Sequence, residues 1–110
     1  MSVVILFGAG VYAKKYKALL EYLHLDFDFF TDNDPSKWGT MLYGKTIVSP
    51  DEITRFSDCK IIISSTHEIA IKAQLEAMGL GDCTIDLKNL YELCEQQMKE
   101  NAVEHVSVNK

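Results

Sequence analysis

The stretch Val3-Val4-Ile5-Leu6-Phe7-Gly8-Ala9-Gly10-Val11-Tyr12-Ala13 decides how the rest of the chain is read. Its first five residues are wholly apolar, too few for an ordinary helix and rich in β-branched and aromatic types, so they read as a strand buried on both faces. The strand stops at Gly8. Gly8 to Ala13 then fits G-x-G-x-x-A, in which the first Gly permits a tight turn, the second lets a ligand reach bare backbone, and the small last residue lets helix and strand pack closely. From Val11 the pattern is helical: Tyr12, Tyr16, Leu19, Leu20 and Leu23 recur at helical spacing, with Lys14, Lys15, Lys17 and Glu21 on the other side. Strand, glycine turn and amphipathic helix come in the order of a dinucleotide-fold first unit. Free N–H groups at the helix start would make an anion site there. A glycine turn that serves packing alone is the competing account.

The chain has 110 residues, 47% of them apolar, which is one domain with one core and a small one for an enzyme needing separate cofactor and substrate pockets. Its formal charge is -5 and its eleven basic residues are scattered apart from Lys14, Lys15 and Lys17, so nucleic acid is excluded as an electrostatic partner. The N-terminal apolar run lacks a basic leader and a cleavage pattern, and no stretch approaches the roughly 20 apolar residues of a membrane span. A cytoplasmic protein is expected. Cys59, Cys83 and Cys94 are odd in number, form no C-x-x-C pair and sit in apolar patterns, which reads as buried reduced thiols rather than metal ligands or disulfides.

Leu25 to Thr31 alternates acidic and apolar residues before turning wholly apolar, as a second strand would. It ends at Asp32, and Asp32-Asn33-Asp34-Pro35-Ser36-Lys37-Trp38-Gly39 is dense in turn formers. Asp32 lies 22 positions after Gly10, where a dinucleotide fold places the acid that accepts hydrogen bonds from a ribose diol. The alternative is that Asp32 and Asp34 only accept backbone N–H bonds to hold the turn. Trp38 has two readings as well, a stacking platform for a base or sugar and a cap on the edge of the core. A tight turn at Gly44-Lys45 leads into a short strand over 46–48. Ser49 then reads as an N-cap, Pro50 as the first helical residue and Glu52 as the partner in a capping box, with Ile53 and Phe56 facing inward.

Cys59 to Ser64 repeats the buried-strand signal, and Ser65-Thr66-His67-Glu68 follows it as the glycine turn follows the first strand. In a doubly wound sheet this strand lies beside the first across the switch point, which brings Ser64, Ser65 and Thr66 to the same crevice. A capping box of Ser65 with Glu68 is the local account, and the two are compatible. His67 has no nucleophile to serve and reads as an exposed first-turn histidine. The helix over 68–78 carries two apolar rows. Ile69, Ala73 and Ala77 make one; Ile71, Leu75 and Met78 make the other, and one covers the sheet while the second, Ile71, Leu75 and Met78, meets a second copy or a larger enzyme. Gly79-Leu80-Gly81 closes the helix. A fifth strand over 83–87, a last helix over 87–100 and a flexible tail over 101–110 complete the reading, with 1–100 as the single domain.

The expected architecture is therefore α/β: a Rossmann-like, doubly wound, mainly parallel sheet of about five strands with helices on both faces. With those residues in hand, the runs FGAGVYA, DNDPSKWG, GKTIVSPDEI and IIISS resemble the small Rossmann-like domains of bacterial surface-sugar biosynthesis. Such domains form the nucleotide-sugar-binding N-terminal part of PglD-like sugar acyltransferases and the last domain of sugar C-methyltransferases. The resemblance implies that Gly8, Gly10 and the backbone after them line a phosphate or sugar-phosphate site, with Asp32 and Asn33 at its nucleoside end. It carries no chemistry over. The acyltransferases hold their catalytic histidine in a β-helical domain, their Gly-His pair is Val11-Tyr12 here, and the C-methyltransferase domain leaves methyl transfer to another domain.

The functional expectation is a nucleotide-type binding module, for a nucleotide-sugar or a dinucleotide such as NAD(P), in a polysaccharide or glycoconjugate pathway and without complete catalytic machinery. Its expected contacts are Gly8, Ala9, Gly10, Val11, Tyr12, Asp32, Asn33, Ser64, Ser65 and Thr66; no catalytic residue and no metal ligand is assigned. The alternatives are a structural or oligomerisation domain with an empty crevice and, ranked lower, a small NAD(P)-dependent oxidoreductase.

Overall fold

The five apolar residues Val3–Phe7 form strand β1, which pairs with a parallel strand on each side. Residues 3–86 and Glu95 are described in this computed structural model; the expected last helix apart from Glu95, the tail and Cys94 lie outside them. Helix α1 spans Ala13–Tyr22, β2 Phe29–Thr31, β3 Met41–Leu42 and β4 Lys45–Val48. A four-residue helix α2, Pro50–Ile53, leads to β5, Cys59–Ile63, and α3, Glu68–Ala77. The sheet order is β3-β4-β2-β1-β5, with β1, β2, β4 and β5 parallel and β3 antiparallel to β4. The chain winds outward from β1 to one side, then returns to place β5 on the other, which is the doubly wound plan.

Successive side chains of a strand point to opposite faces, and β1 feeds two separate cores that way. Val4 and Leu6 join Ala13, Leu20 and Leu23 of the α1 side; Ile5 and Phe7 join Ile53, Ile71 and Leu75 of the side covered by α2 and α3. Helices thus cover both faces, as expected. Among the described residues no helix is long and apolar enough to cross a membrane.

Several local expectations give way for identifiable reasons. Tyr12 is the cap of α1 rather than part of its inward row and is 43% exposed, while Ala13 behind it is fully buried. Strand β2 covers three residues instead of seven because Asp28 substitutes its side chain for the ladder: its Oδ2 accepts the Val4 N–H at 2.9 Å, and its own N–H donates to the Val4 carbonyl at 2.8 Å. The alternation over Leu25 to Asp28 still sorts burial, with Leu25 and Phe27 buried and the two aspartates exposed. The tight turn falls at Tyr43-Gly44, both with positive φ (50° and 79°), the geometry of a two-residue primed hairpin, and it creates the unexpected strand β3.

Neither capping box is made. Ser49 is the N-cap of α2 with no side-chain bond, and the N-cap of α3 is His67, two residues past Ser65, whose Oγ accepts the His67 N–H at 3.1 Å while Glu68 pairs with Lys72. The row Ile71, Leu75 and Met78 is the sheet-facing one: Ile71 and Leu75 are buried in the core and Met78 packs against it, whereas Ile69 is 88% exposed. The interface expected through Ile71, Leu75 and Met78 is thereby overturned, because the bulkiest pair at i, i+4 spacing is drawn to the larger apolar surface, the sheet. The expected fifth strand over 83–87 is, over its described part 83–86, the end of a 3₁₀ turn at Gly81–Cys83 and one parallel bridge from Thr84 to Ile61; residue 87 lies outside the described residues. Cys59 is buried and Cys83 half-buried, both free thiols.

Candidate functional site

Three turns meet at the carboxyl ends of β1, β2 and β5, where the strand order reverses. Backbone and side-chain hydrogen bonds lace them together: the Gly8 N–H donates to the Thr31 carbonyl at 2.8 Å, the Ser64 N–H to the Phe7 carbonyl at 2.9 Å, and the buried Ser64 hydroxyl to the Gly8 carbonyl at 2.8 Å. Gly8 has φ +130°, and a Cβ there would stand 2.6 Å from the Ser64 carbonyl oxygen. Its first duty is therefore close packing of two turns. Ser64, 2% exposed, is structural and not a wall of the open space.

Above this seam lies a crevice of about 330 Å³. Gly8, Ser65, Asp32 and Asn33 bound it from the turns, and His67, Ala70, Ile71 and Gln74 from α3 and its cap. Neither Tyr12 nor Trp38 fills it. Trp38 instead donates its indole N–H to the Asp32 carbonyl at 2.7 Å, which staples the loop.

Asp32 realises the turn-holding reading: its Oδ2 accepts the Ala9 N–H at 2.8 Å and its Oδ1 accepts the Asp34 N–H at 2.9 Å. A carboxylate has about four acceptor sites, so each oxygen keeps one for a further donor. Asp34 caps the 3₁₀ turn Pro35–Lys37, and the Ser36 hydroxyl and amide bonded to it hold its carboxyl below the usual value of 3.8. Asn33 and Gln74 exchange two amide hydrogen bonds, each 2.8 Å, across the rim of the crevice.

Of the residues singled out from the sequence, Gly8, Asp32, Asn33 and Ser65 are brought together around the crevice. Ala9 is buried beside them, Gly10, Val11 and Tyr12 form an exposed shoulder at the start of α1, and Thr66 is exposed outside the lining. The N–H groups of Gly10, Val11 and Tyr12 have no hydrogen-bond partner among the described residues. Sequence reading missed Gln74 and Lys37. Gln74 carried only a helical-spacing signal, four positions from Ala70 and three from Ile71, and Lys37 lay inside a segment read for its turn formers.

A parallel sheet reversing at β1, a glycine turn on one side and a serine turn on the other define a Rossmann-type domain. The chain belongs to the C2185-like family, whose N-terminal domain matches residues 1–85. Among solved structures it is similar to that of UDP-D-quinovosamine 4-dehydrogenase from Vibrio fischeri, at 22% identity and a TM-score of 0.58, covering 83% of this chain and 84% of that one. That likeness is one of fold. No curated protein matches the chain.

Proposed function

We propose that this domain binds a nucleotide-type ligand, a nucleotide-sugar before a dinucleotide, in the biosynthesis of a polysaccharide or glycoconjugate. The observation that carries the reading is the open crevice at the switch point, the place where open α/β sheets take their ligands. Its volume of about 330 Å³ stands at the lower end of the roughly 300–1,000 Å³ typical of small-molecule pockets, which suits the nucleoside portion of a larger ligand. In this arrangement the ribose lies by Asp32, the base lies between Asn33 and the first turns of α3, and the phosphates run toward the bare amides of Gly10, Val11 and Tyr12. The Vibrio fischeri neighbour, a UDP-D-quinovosamine 4-dehydrogenase, supports the pathway class and keeps NAD(H) as the second ligand to try.

The test is calorimetric titration of the chain with UDP, UDP-sugars and NAD(H) at millimolar concentration, with circular dichroism recorded on the same sample. Saturable heat from any of them supports the reading. Silence from all, with the protein folded, rejects it.

A further inference from the structure

The loop after β2 spends more hydrogen bonds on its own shape than a connection requires. Asp32 takes the Asp34 N–H, Asp34 takes the Ser36 N–H at 3.0 Å and its hydroxyl at 2.8 Å, Trp38 donates to the Asp32 carbonyl, and Thr40 donates its hydroxyl to the Lys37 carbonyl at 2.6 Å. These bonds fix one residue in particular. Lys37 is held with its Nζ 3.3 Å from the Ala9 carbonyl oxygen and 3.7 Å from Asp32 Oδ2, directly over the glycine turn. Among the described residues, leaving aside Gly10's own chain neighbours, its Nζ is the one atom within 4 Å of where a Gly10 Cβ would be, at 3.9 Å.

The other basic residues nearby are placed differently. Lys14 and Lys15 are exposed on α1, and Lys17 is engaged by Glu21. Lys37 is half-buried, which weakens the water screening of its charge. An ammonium group has three donors, and Lys37 commits one to a neutral carbonyl, while its approach to Asp32 is longer than a hydrogen bond. The cation is thus held beside an exposed glycine by one carbonyl hydrogen bond and an ion pair with Asp32, with two of its three donors uncommitted among the described residues.

We propose that Lys37 is the residue that reads the phosphate of the ligand, leaving the Ala9 carbonyl for a phosphate oxygen when the crevice is occupied, and that the ligand is consequently a nucleoside diphosphate or its ester rather than a bare nucleoside. This rests on the nucleotide-type reading above and adds the ligand's charge class and the side chain that selects it. The hydrogen-bonded loop supplies preorganisation: the Lys37 backbone is placed before the ligand arrives, so binding asks only that the ammonium group swing from the Ala9 carbonyl to the phosphate. A packing role alone, a lysine that merely covers a carbonyl, predicts no dependence on phosphate number.

The experiment measures the affinity of the full chain for uridine, UMP and UDP, and for adenosine, AMP and ADP, in the wild type, Lys37→Met and Lys37→Arg, with melting temperature as a control on folding. In the wild type, affinity rises with phosphate number. In Lys37→Met the diphosphate loses about 10-fold or more, the size of one charge-assisted hydrogen bond, while the nucleoside is unchanged; Lys37→Arg recovers part of the loss. Wild-type affinity for UDP also falls more steeply with salt than that of Lys37→Met. Equal affinity for UDP in the wild type and Lys37→Met overturns the proposal, and so does a wild type that binds uridine as tightly as UDP; both leave the nucleotide-type reading standing. A folded wild type that binds none of the six removes that reading and this proposal with it.

Discussion

Gly8→Ala tests how the two turns at the switch point are packed. The methyl group meets two penalties. Gly8 has φ +130°, a region that L-residues occupy at a cost of about 1–3 kcal/mol, and the added carbon falls 2.6 Å from the Ser64 carbonyl oxygen. Overpacking of that kind costs a further 1–3 kcal/mol or so, giving about 2–6 kcal/mol in all against a total stability of roughly 5–15 kcal/mol. With a urea slope of about 1–3 kcal/mol per molar, the midpoint falls by one to a few molar, and the melting temperature by roughly 10 °C or more. The obstructing atom belongs to the backbone, so Gly8→Ala/Ser64→Ala is not rescued. Gly10→Ala is the matched control, since the nearest atom beyond its chain neighbours, Lys37 Nζ, is 3.9 Å away in ordinary contact, and its stability stays within about 0.5 kcal/mol of wild type. Urea denaturation followed by circular dichroism measures both. A Gly8→Ala protein as stable as Gly10→Ala would refute the packing argument.

Leu75→Ala removes a fully buried side chain and is expected to cost about 2–5 kcal/mol in denaturant melts without altering the molecular mass by light scattering, whereas Ile69→Ala on the exposed row leaves the midpoint unchanged. The Cys59 thiol, pushed up to about 12 chiefly by burial and then by the neighbouring Cys83, resists thiol reagents at pH 8 in native buffer and reacts once the chain is unfolded in guanidinium. Because that folded value lies above the ordinary 9.0, its contribution to stability is complete below pH 9 and is lost as pH rises toward 12; Cys59→Ala flattens that alkaline decline in a series of urea melts. For Asp34 the sign is opposite: its folded value lies below 3.8, so its contribution is complete above that pH and is lost on further acidification, and Asp34→Asn shows a shallower acid limb in the same melts.

The strands β1 and β5, the glycine turn and the two-sided sheet were legible because they rest on long apolar runs and on a backbone conformation open mainly to glycine. Boundaries set by single polar side chains were not. Nothing in the pattern over 25–31 distinguishes an aspartate that faces water from one that replaces a ladder carbonyl, as Asp28 does for Val4. The two rows of α3 were visible as rows, yet which one meets the sheet depends on the helix's rotation, a tertiary quantity. The same limit applies to the crevice. Residues at strand ends, Gly8, Asp32, Asn33 and Ser65, were found because topology alone delivers them there, while Gln74 reaches the crevice through side-chain length and Lys37 is held over the neighbouring glycine turn, outside the lining, by loop shape.

Strand β1 also explains how alignment is kept in a segment with no polar side to guide it. Sliding Val3–Phe7 by one position would trade Val4 and Leu6 for Ile5 and Phe7 between the two layers, and hydropathy would register no fault. The pegs are at the margins: Val3 is tied to the Asp58 carbonyl at 3.0 Å and Val4 to the Asp28 carboxylate at one end, and Gly8 is the only residue able to take the bend at the other. A lesion at Asp28, remote from every ligand-facing group, therefore loosens the indexing of both layers at once.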